Sequence, residues 1–382
     1  MKVASPRRLL IVIYSMSGGG AERVTANLAN YWALRGWEIM VVTLASDRLD
    51  YYELHPTIKR VYLDLAGESA NLPVALWQNF RRVAALRRVL RKFEPDVALG
   101  MMTAANVLLA LASLGSRVPT VGSEHVHPPA FPIGRAWEQL RRSTYGLLQA
   151  VVSLTTETAE WLKANTGARN ITVIPNAAPW PLPVQSPVIK PNEVCPRGRH
   201  MLLAVGRLEY EKGFDLLLEA FAPLARKYPD WDLAILGEGS LRSSLDGNVR
   251  TARLRDRVFL PGHVGNLLDW FERAEIYVMS SRCEGFGNTL AEALAHAVPA
   301  VSFDCPSGPR HIIRHNVDGL LVPVGDLPSL KGALDRLMSD SALRQRFSAR
   351  AVEARNRFSL ERIANLWEGL FEEVLLERSL RR

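Results

Sequence analysis

"HMLLAVGRLEYEKGFDLLLEAF", residues 200–221, is the stretch on which the fold turns. The apolar run His200–Gly206 has the length and composition of a buried strand. From Phe214 to Tyr228 apolar residues recur at helical spacing, which predicts a helix. A loop carrying Arg207, Lys212 and Gly213 joins the two. A strand that runs through a short loop into a helix is the repeating unit of a parallel sheet.

The same unit recurs on both sides of this stretch. Upstream, Arg8–Tyr14 predicts a strand, followed by "SGGGAERV" at 17–24 and a helix over Ala21–Arg35 that Gly36 ends. Strands are expected at Glu38–Leu44, Lys59–Leu65, Asp96–Met101 and Thr120–Ser123, and a long helix at Leu76–Phe93 stopped near Pro95. Downstream, strands are expected at Asp232–Leu236, Val258–Leu260, Ile276–Ser280 and Ala300–Ser302. Helices are expected at Thr289–Ala297, Leu327–Met338, Ser341–Arg355 and Leu360–Leu380.

Between the halves, Pro175, Pro179, Pro181, Pro183, Pro187, Pro191 and Pro196 crowd one segment. Proline fixes φ and donates no backbone hydrogen bond, so this segment reads as an interdomain linker. The expected organisation is a Rossmann-like domain at 1–178, a linker at 179–199 and a second Rossmann-like domain at 200–359. A C-terminal helix at 360–382 is expected to pack back on the first domain. The fold class is α/β: two doubly wound domains facing a central cleft, with ligands at the carboxyl ends of the strands.

A length of 382 residues suits two domains at about 100–200 residues each. With 48% hydrophobic and 23% charged residues, disordered and collagen-like chains are excluded. Cys195, Cys283 and Cys305 form no CxxC pair, which argues against a zinc site or a disulfide framework. A reduced, cytoplasmic protein is expected. No secretory h-region is visible, and no apolar run approaches the ~18 residues of a membrane helix. Ala104–Leu114 comes nearest and reads as a buried helix. The net charge of +8 points to an acidic partner: nucleic acid, nucleotide or anionic membrane.

Three stretches carry candidate chemistry. Gly18, Gly19 and Gly20 stand between a strand and a helix, whose N-terminal N–H groups favour an anion. The run is not a clean GxGxxG, and Asp47 matches a ribose-binding acid only loosely; a strand–helix turn without a ligand is the plain alternative. Arg207 and Lys212 follow a strand and suit a diphosphate, the one a planar fork and the other a mobile point charge. Two solvated surface charges would look the same.

The third stretch is "CEGFGNTLAEALAHAVP", residues 283–299. Glu284 and Glu292 are eight residues apart, a rise of ~12 Å if both were helical. Gly285 and Gly287 allow a loop at Glu284, with the helix opening near Asn288 or Thr289. Glu292 then falls on the first turn, with free N–H groups facing an anion. Thr289-x-x-Glu292 is also a capping-box pattern, on which Glu292 merely caps the helix.

Taken together, these motifs resemble those of family 4 glycosyltransferases of the GT-B fold. The matching residues are Gly206-Arg207-Leu208, Lys212-Gly213, Glu284-Gly285-Phe286-Gly287 through Glu292, and Gly-Gly-Ala-Glu-Arg at 19–23. The resemblance implies that Arg207 and Lys212 bind the donor diphosphate and stabilise the leaving group. Glu292 would hold the ribose and Glu284 the hydroxyls of the transferred sugar. Gly285, Phe286, Gly287, Asn288 and Thr289 would line the donor site. Gly262, in "LPGHV", would lie where the backbone meets the base, and Gly19 and Gly20 would reach the donor from the first domain. His125, in "VGSEHVHPP", resembles the family's histidine near the donor sugar; His127 has less support. The residues 1–178 become the acceptor side and 200–359 the nucleotide-sugar side. Retention of anomeric configuration without a metal or other cofactor is implied, since Arg207, Lys212 and helix dipoles can carry the developing charge. In "DCPSGPRHIIRHNVDGLLVP" the chain departs from the family, with His311 where an acid is frequent.

The helix Leu76–Phe93 bears on the acceptor. At ~100° per residue, Arg81, Arg88, Arg91 and Lys92 share one side, and Leu76, Val83, Leu86 and Leu90 another. Such a helix suits anionic lipid head groups or is simply solvated. With the glycine loop and Ser307-Gly308-Pro309, it resembles bacterial transferases acting on polyprenyl-diphosphate-linked glycans, of N-acetylgalactosaminyl or exopolysaccharide type. The resemblance implies a UDP-sugar donor and a lipid-linked acceptor gripped by Arg81, Arg88 and Lys92. It also implies a peripheral place on the inner face of the cytoplasmic membrane. A soluble acceptor is the nearest alternative. An NAD-dependent oxidoreductase leaves Arg207, Lys212 and the glutamates without a role. A basic membrane- or nucleic-acid-binding protein lacks any RNA-stacking or DNA-reading module, so no nucleic acid partner is expected.

Overall fold

The computed structural model describes residues 7–46, 50–67 and 72–380; Asp47 lies outside them. The chain divides into two compact units, the first Met1–Ala177 with Leu360–Arg382 and the second Ala178–Ser359.

The first unit has seven strands: β1 (Arg8–Ile13), β2 (Glu38–Thr43), β3 (Lys59–Tyr62), β4 (Val97–Met101), β5 (Thr120–Glu124), β6 (Ala150–Ser153) and β7 (Ile171–Val173). They form one parallel sheet in the order β3-β2-β1-β4-β5-β6-β7. Its helices are α1 (Gly20–Leu34), α2 (Leu72–Phe93), α3 (Thr103–Ala112), α4 (Arg135–Thr144) and α5 (Thr156–Asn165). Alternation along β1 feeds two cores. Leu9, Ile11 and Ile13 pack with Trp32 of α1, while Leu10 and Val12 pack with Leu86 and Leu90 of α2. Both faces of the sheet are therefore apolar, as a parallel sheet sandwiched by helices requires.

The second unit opens with α6 (Pro191–Val194) and β8 (His200–Val205), followed by α7 (Phe214–Lys227), β9 (Trp231–Leu236), α8 (Arg242–Thr251) and β10 (Val258–Gly262). Then come α9 (Leu267–Arg273), β11 (Ile276–Met279), α10 (Asn288–Ala295), β12 (Ala300–Phe303), α11 (Pro309–Ile312) and β13 (Gly319–Val322). The helices α12 (Leu327–Ser339), α13 (Ser341–Ala351) and α14 (Ala354–Arg357) complete it. The six strands are parallel in the order β10-β9-β8-β11-β12-β13. Strand order reverses between β8 and β11, so the loops leaving these two strands diverge around a crevice, the usual ligand position in open α/β sheets. The single helix expected over Ser341–Arg355 is broken at 352–353 into α13 and α14.

From Pro179 to Pro196 the proline-rich stretch belongs to the second unit, while Pro175 lies in the first. The backbone of the stretch pairs with the loop before α9: Gln185 N–H donates to Gly265 O at 3.0 Å, and Gly265 N–H to Pro187 O at 2.7 Å. Ile189 exchanges two 3.0 Å bonds with the Asn266 side chain. The last helix, α15 (Leu360–Leu380), lies in the first unit. There Trp367 and Phe371 pack at 5.8 Å between ring centres, and Phe371 lies 5.7 Å from Trp32. Trp32 Nε1–H donates to Glu368 at 3.0 Å. Each such buried aromatic contributes about 1.5–3 kcal/mol, so α15 is part of the first unit's core.

Candidate functional site

The loop leaving β8 contains a tight 3-10 turn at Tyr210–Lys212. Gly213 follows with φ +62°, a left-handed conformation that ends the turn and opens α7. A Cβ there would also lie 2.1 Å from Ser280 O, so the β8 and β11 loops touch through bare backbone. The turn directs Lys212 toward the β11 loop, where its ammonium donates to Glu284 Oε1 at 2.7 Å. Ser281 Oγ donates to the same oxygen, also at 2.7 Å. The pair is well covered, with side-chain exposures of 20% for Lys212 and 9% for Glu284. Arg207 points outward: its side chain is 71% exposed and donates to Glu211 at 2.8 Å.

Beyond Glu284 the loop is anchored by Phe286, which is buried edge-on against Phe358, and by Ser307, whose hydroxyl donates to Gly285 O at 3.1 Å. Gly287, left-handed at φ +102°, is the N-cap of α10. Asn288 and Thr289 are thus the first two helical residues, where backbone N–H groups have no intrahelical acceptor. The Thr289 hydroxyl pairs with Tyr277 Oη at 2.7 Å, and burial raises the pKa of that phenol. Two expectations change here. Thr289 is inside the helix rather than its cap, so no capping box forms with Glu292. Glu292 is the fifth residue of α10, on its second turn, and is buried at 1% exposure.

Glycines also pave the neighbouring strand ends. Gly206 N–H donates to Leu236 O at 3.0 Å and Gly237 N–H to Gly262 O at 2.8 Å. A Cβ on Gly237 would lie 2.0 Å from Gly206 O. Gly262 thus belongs to a backbone shelf across β8, β9 and β10. Gly237 is absent from the motifs above, although a glycine directly after a predicted strand marks a close approach.

The remaining candidates lie in the first unit. His125 follows β5 and is buried; its Nε2 is 3.0 Å from Ser123 Oγ, and its Nδ1 has no hydrogen-bond partner among the described residues. Burial lowers its pKa to about 4, which keeps the ring neutral. His127 is 3.1 Å from Thr158 Oγ1. Beside them, Glu124 is fully buried: it accepts from Thr103 at 2.9 Å and Tyr145 at 2.7 Å, and burial raises its pKa. Glu124 stands next to His125 in the sequence, yet nothing in its local pattern announces this network.

Gly19 is the N-cap of α1 and Gly20 its first residue. The Glu22 carboxylate folds back over this turn, within 3.4–3.5 Å of Ser15 and Ser17. A Cβ on Gly19 would lie 2.2 Å from Glu22 Oε2. The space above the first glycine turn is therefore filled by the chain's own carboxylate.

On α2, Arg81, Arg88, Arg91 and Lys92 are exposed, with Arg81 stacked on Trp77 at 4.7 Å. Arg82 is instead buried, donating to Leu65 O at 2.8 Å and Gly67 O at 3.0 Å. The helical spacing places Leu76 with Leu86 and Leu90 on the buried side; only the latter two are buried, and Leu76 is 64% exposed. Trp77 and Phe80 are exposed at 59% and 71%. The early turns of α2 run past the core that its later turns cover. Among the described residues, no helix is long and apolar enough to cross a membrane.

Residues 18–179 match Glycosyltransferase Family 4, and residues 186–354 match Glycosyl transferases group 1. The chain is 35% identical over 321 residues to an exopolysaccharide phosphotransferase of Streptomyces coelicolor, covering 82% of this chain but only 33% of that protein. It is 25% identical over 368 residues to a Campylobacter jejuni α-1,4-N-acetyl-D-galactosaminyltransferase, named for an undecaprenol-diphosphate-linked glycan, covering 96% of this chain and 99% of that one. Its fold matches the crystal structure of Anabaena HepE in complex with UDP, with a TM-score of 0.75 and 17% identity over 96% of this chain and 100% of that one. With two doubly wound parallel-sheet units and both family matches in their expected order, the chain belongs to the family 4 and group 1 glycosyltransferases of the GT-B fold.

Proposed function

We propose that the protein transfers a hexose or N-acetylhexosamine from a UDP-sugar to a polyprenyl-diphosphate-linked glycan, with retention of configuration. The observation that carries this is the Lys212–Glu284–Ser281 cluster where strand order reverses, beside the N-terminus of α10. Breaking the donor bond leaves negative charge on the diphosphate and positive charge on the sugar. Lys212, the exposed Arg207 and the first N–H groups of α10 are suited to the former. Glu284 accepts hydrogen bonds from hydroxyls of the transferred sugar, and Glu292 from those of the ribose. No step is assigned to a divalent ion. The Campylobacter relative and the exposed basic side of α2 support a lipid-linked acceptor at an anionic membrane surface. On this reading Arg81, Arg88 and Lys92 contact the acceptor's diphosphate.

A panel of nucleotide-sugars, read by thermal stabilisation and then by transfer to a polyprenyl-diphosphate glycan, tests the proposal. One UDP-sugar is expected to stabilise more than UDP does, and Glu284→Ala to lose that excess while still binding UDP. Equal stabilisation by UDP and every UDP-sugar removes the role given to Glu284. Transfer to a free glycan at the same rate removes the lipid-linked acceptor.

A further inference from the structure

Three consecutive carbonyls of the turn that carries Lys212 are gripped from the β11 loop. Tyr210 O accepts from Arg282 Nη1 at 2.7 Å, Glu211 O from Arg282 N–H at 2.7 Å, and Lys212 O from Ser280 Oγ at 3.0 Å. Arg282 is itself held by a fork to Asp215 in the first turn of α7, with Nη1 at 2.9 Å and Nη2 at 2.7 Å. Its guanidinium lies 4.1 Å from the Tyr210 ring centre. The bond to Arg282 holds the Asp215 carboxyl below the usual carboxylate range. Such a planar, bidentate charge-assisted contact is among the stiffest a side chain makes.

A 3-10 turn of three residues has little internal hydrogen bonding with which to hold its shape. Here the neighbouring loop supplies the missing order. The grip reaches both cations: Lys212 is one of the three residues held, and Glu211, held by its carbonyl, carries the acceptor for Arg207. Arg282 presents no free fork toward a ligand, since both terminal nitrogens are engaged.

We propose that Arg282 is a positioning residue: through Tyr210, Glu211 and Asp215 it fixes the turn that aims Lys212 and Arg207. This rests on the donor role proposed above for those two cations. A positioned cation matters most as charge develops on the leaving group, and a misplacement near 1 Å can cost on the order of 100-fold in rate.

The test combines kinetics with hydrogen exchange on the full chain. Arg282→Ala is expected to lower kcat on the order of 100-fold, with donor KM changed by less than about threefold. Guanidinium added at low concentration should restore part of that rate, and Arg282→Lys should fall between the two. In the ligand-free protein, Arg282→Ala should speed amide exchange across 209–213 and leave 217–227 unchanged. If Arg282→Ala does not fold, Arg282→Lys and Ser280→Ala carry the same two measurements. Unchanged exchange at 209–213 overturns the proposal, as does a rate loss that guanidinium does not rescue and that a lower folded fraction accounts for. A wild-type chain that turns over no nucleotide-sugar sinks the donor reading alone, because the exchange result still decides whether Arg282 holds the turn.

Discussion

Lys212 and Glu284, 72 residues apart in the chain, meet through a 2.7 Å bond from the ammonium to Glu284 Oε1. The contact is largely shielded from water, so removing one partner strands the other with reduced hydration. Lys212→Met and Glu284→Gln should each destabilise the fold by about 1–3 kcal/mol. In a double-mutant cycle by urea unfolding, the two losses should be less than additive. Strict additivity means the pair contributes no coupling in the empty protein.

Gly19→Ala provides a second test. Gly19 has φ −86°, so the backbone tolerates a side chain, and the cost comes from displacing the Glu22 carboxylate. The expected loss is about 1 kcal/mol, within the range of ordinary point mutants. In a Glu22→Ala background the same substitution should cost almost nothing. A cost that persists there would point to the backbone instead.

His125 should leave a signature in the pH dependence of stability. Its folded pKa, about 4, lies below the ordinary value of 6.5. The unfolded chain therefore binds the extra proton first. The stability contribution is complete above pH 6.5 and is lost as pH falls toward 4, at up to about 1.4 kcal/mol per pH unit. Glu124, whose folded pKa is raised, acts with the opposite sign just above its ordinary value. The difference between wild type and His125→Gln isolates the histidine: the variant should have a flatter profile between pH 6.5 and 4. Parallel profiles would show that His125 is hydrated.

The outer side of α2 changes character along its length, from Leu76, Trp77 and Phe80 to Arg88, Arg91 and Lys92. Aromatic and aliphatic groups anchor in the interfacial layer while arginines meet phosphates. Trp77→Ser with Phe80→Ser should reduce binding to vesicles containing phosphatidylglycerol even in high salt. Arg88→Ser with Lys92→Ser should reduce it only in low salt, where surface charge is unscreened. Equal vesicle binding by wild type and both variants would remove α2 from the membrane contact.

What the sequence made legible follows from the range of the interactions involved. β8 and β11 lie in the core of a parallel sheet and read as unbroken apolar runs. β6, β7 and β13, at four, three and four residues, were not expected, although β11 and β12 are also only four residues long. The loop at Glu284 and the helix after Gly287 were legible from the glycines. The engagement of Thr289 by Tyr277, twelve residues upstream, was not, and the local Thr289-x-x-Glu292 pattern forms no capping box because Gly287 is the N-cap. Arg282 belongs to none of the sequence motifs, and its partners Tyr210 and Asp215 lie 72 and 67 residues away in the chain. Leu76 fitted the apolar spacing of α2, but spacing alone does not say how far a core extends along a helix.

The last helix has a consequence for the order of events during synthesis. The second unit is one continuous segment, 178–359, while the first needs α15 from residues 360–380 to cover Trp32. Domains generally fold in the order they are synthesised, but here the second unit is complete on the ribosome before the first. The first unit has all its strands by residue 173, but until α15 emerges after residue 359 that earlier half of the chain must wait with an indole and its apolar surroundings uncovered. The nascent protein is thus most exposed to chaperones and proteases along the part that was made first.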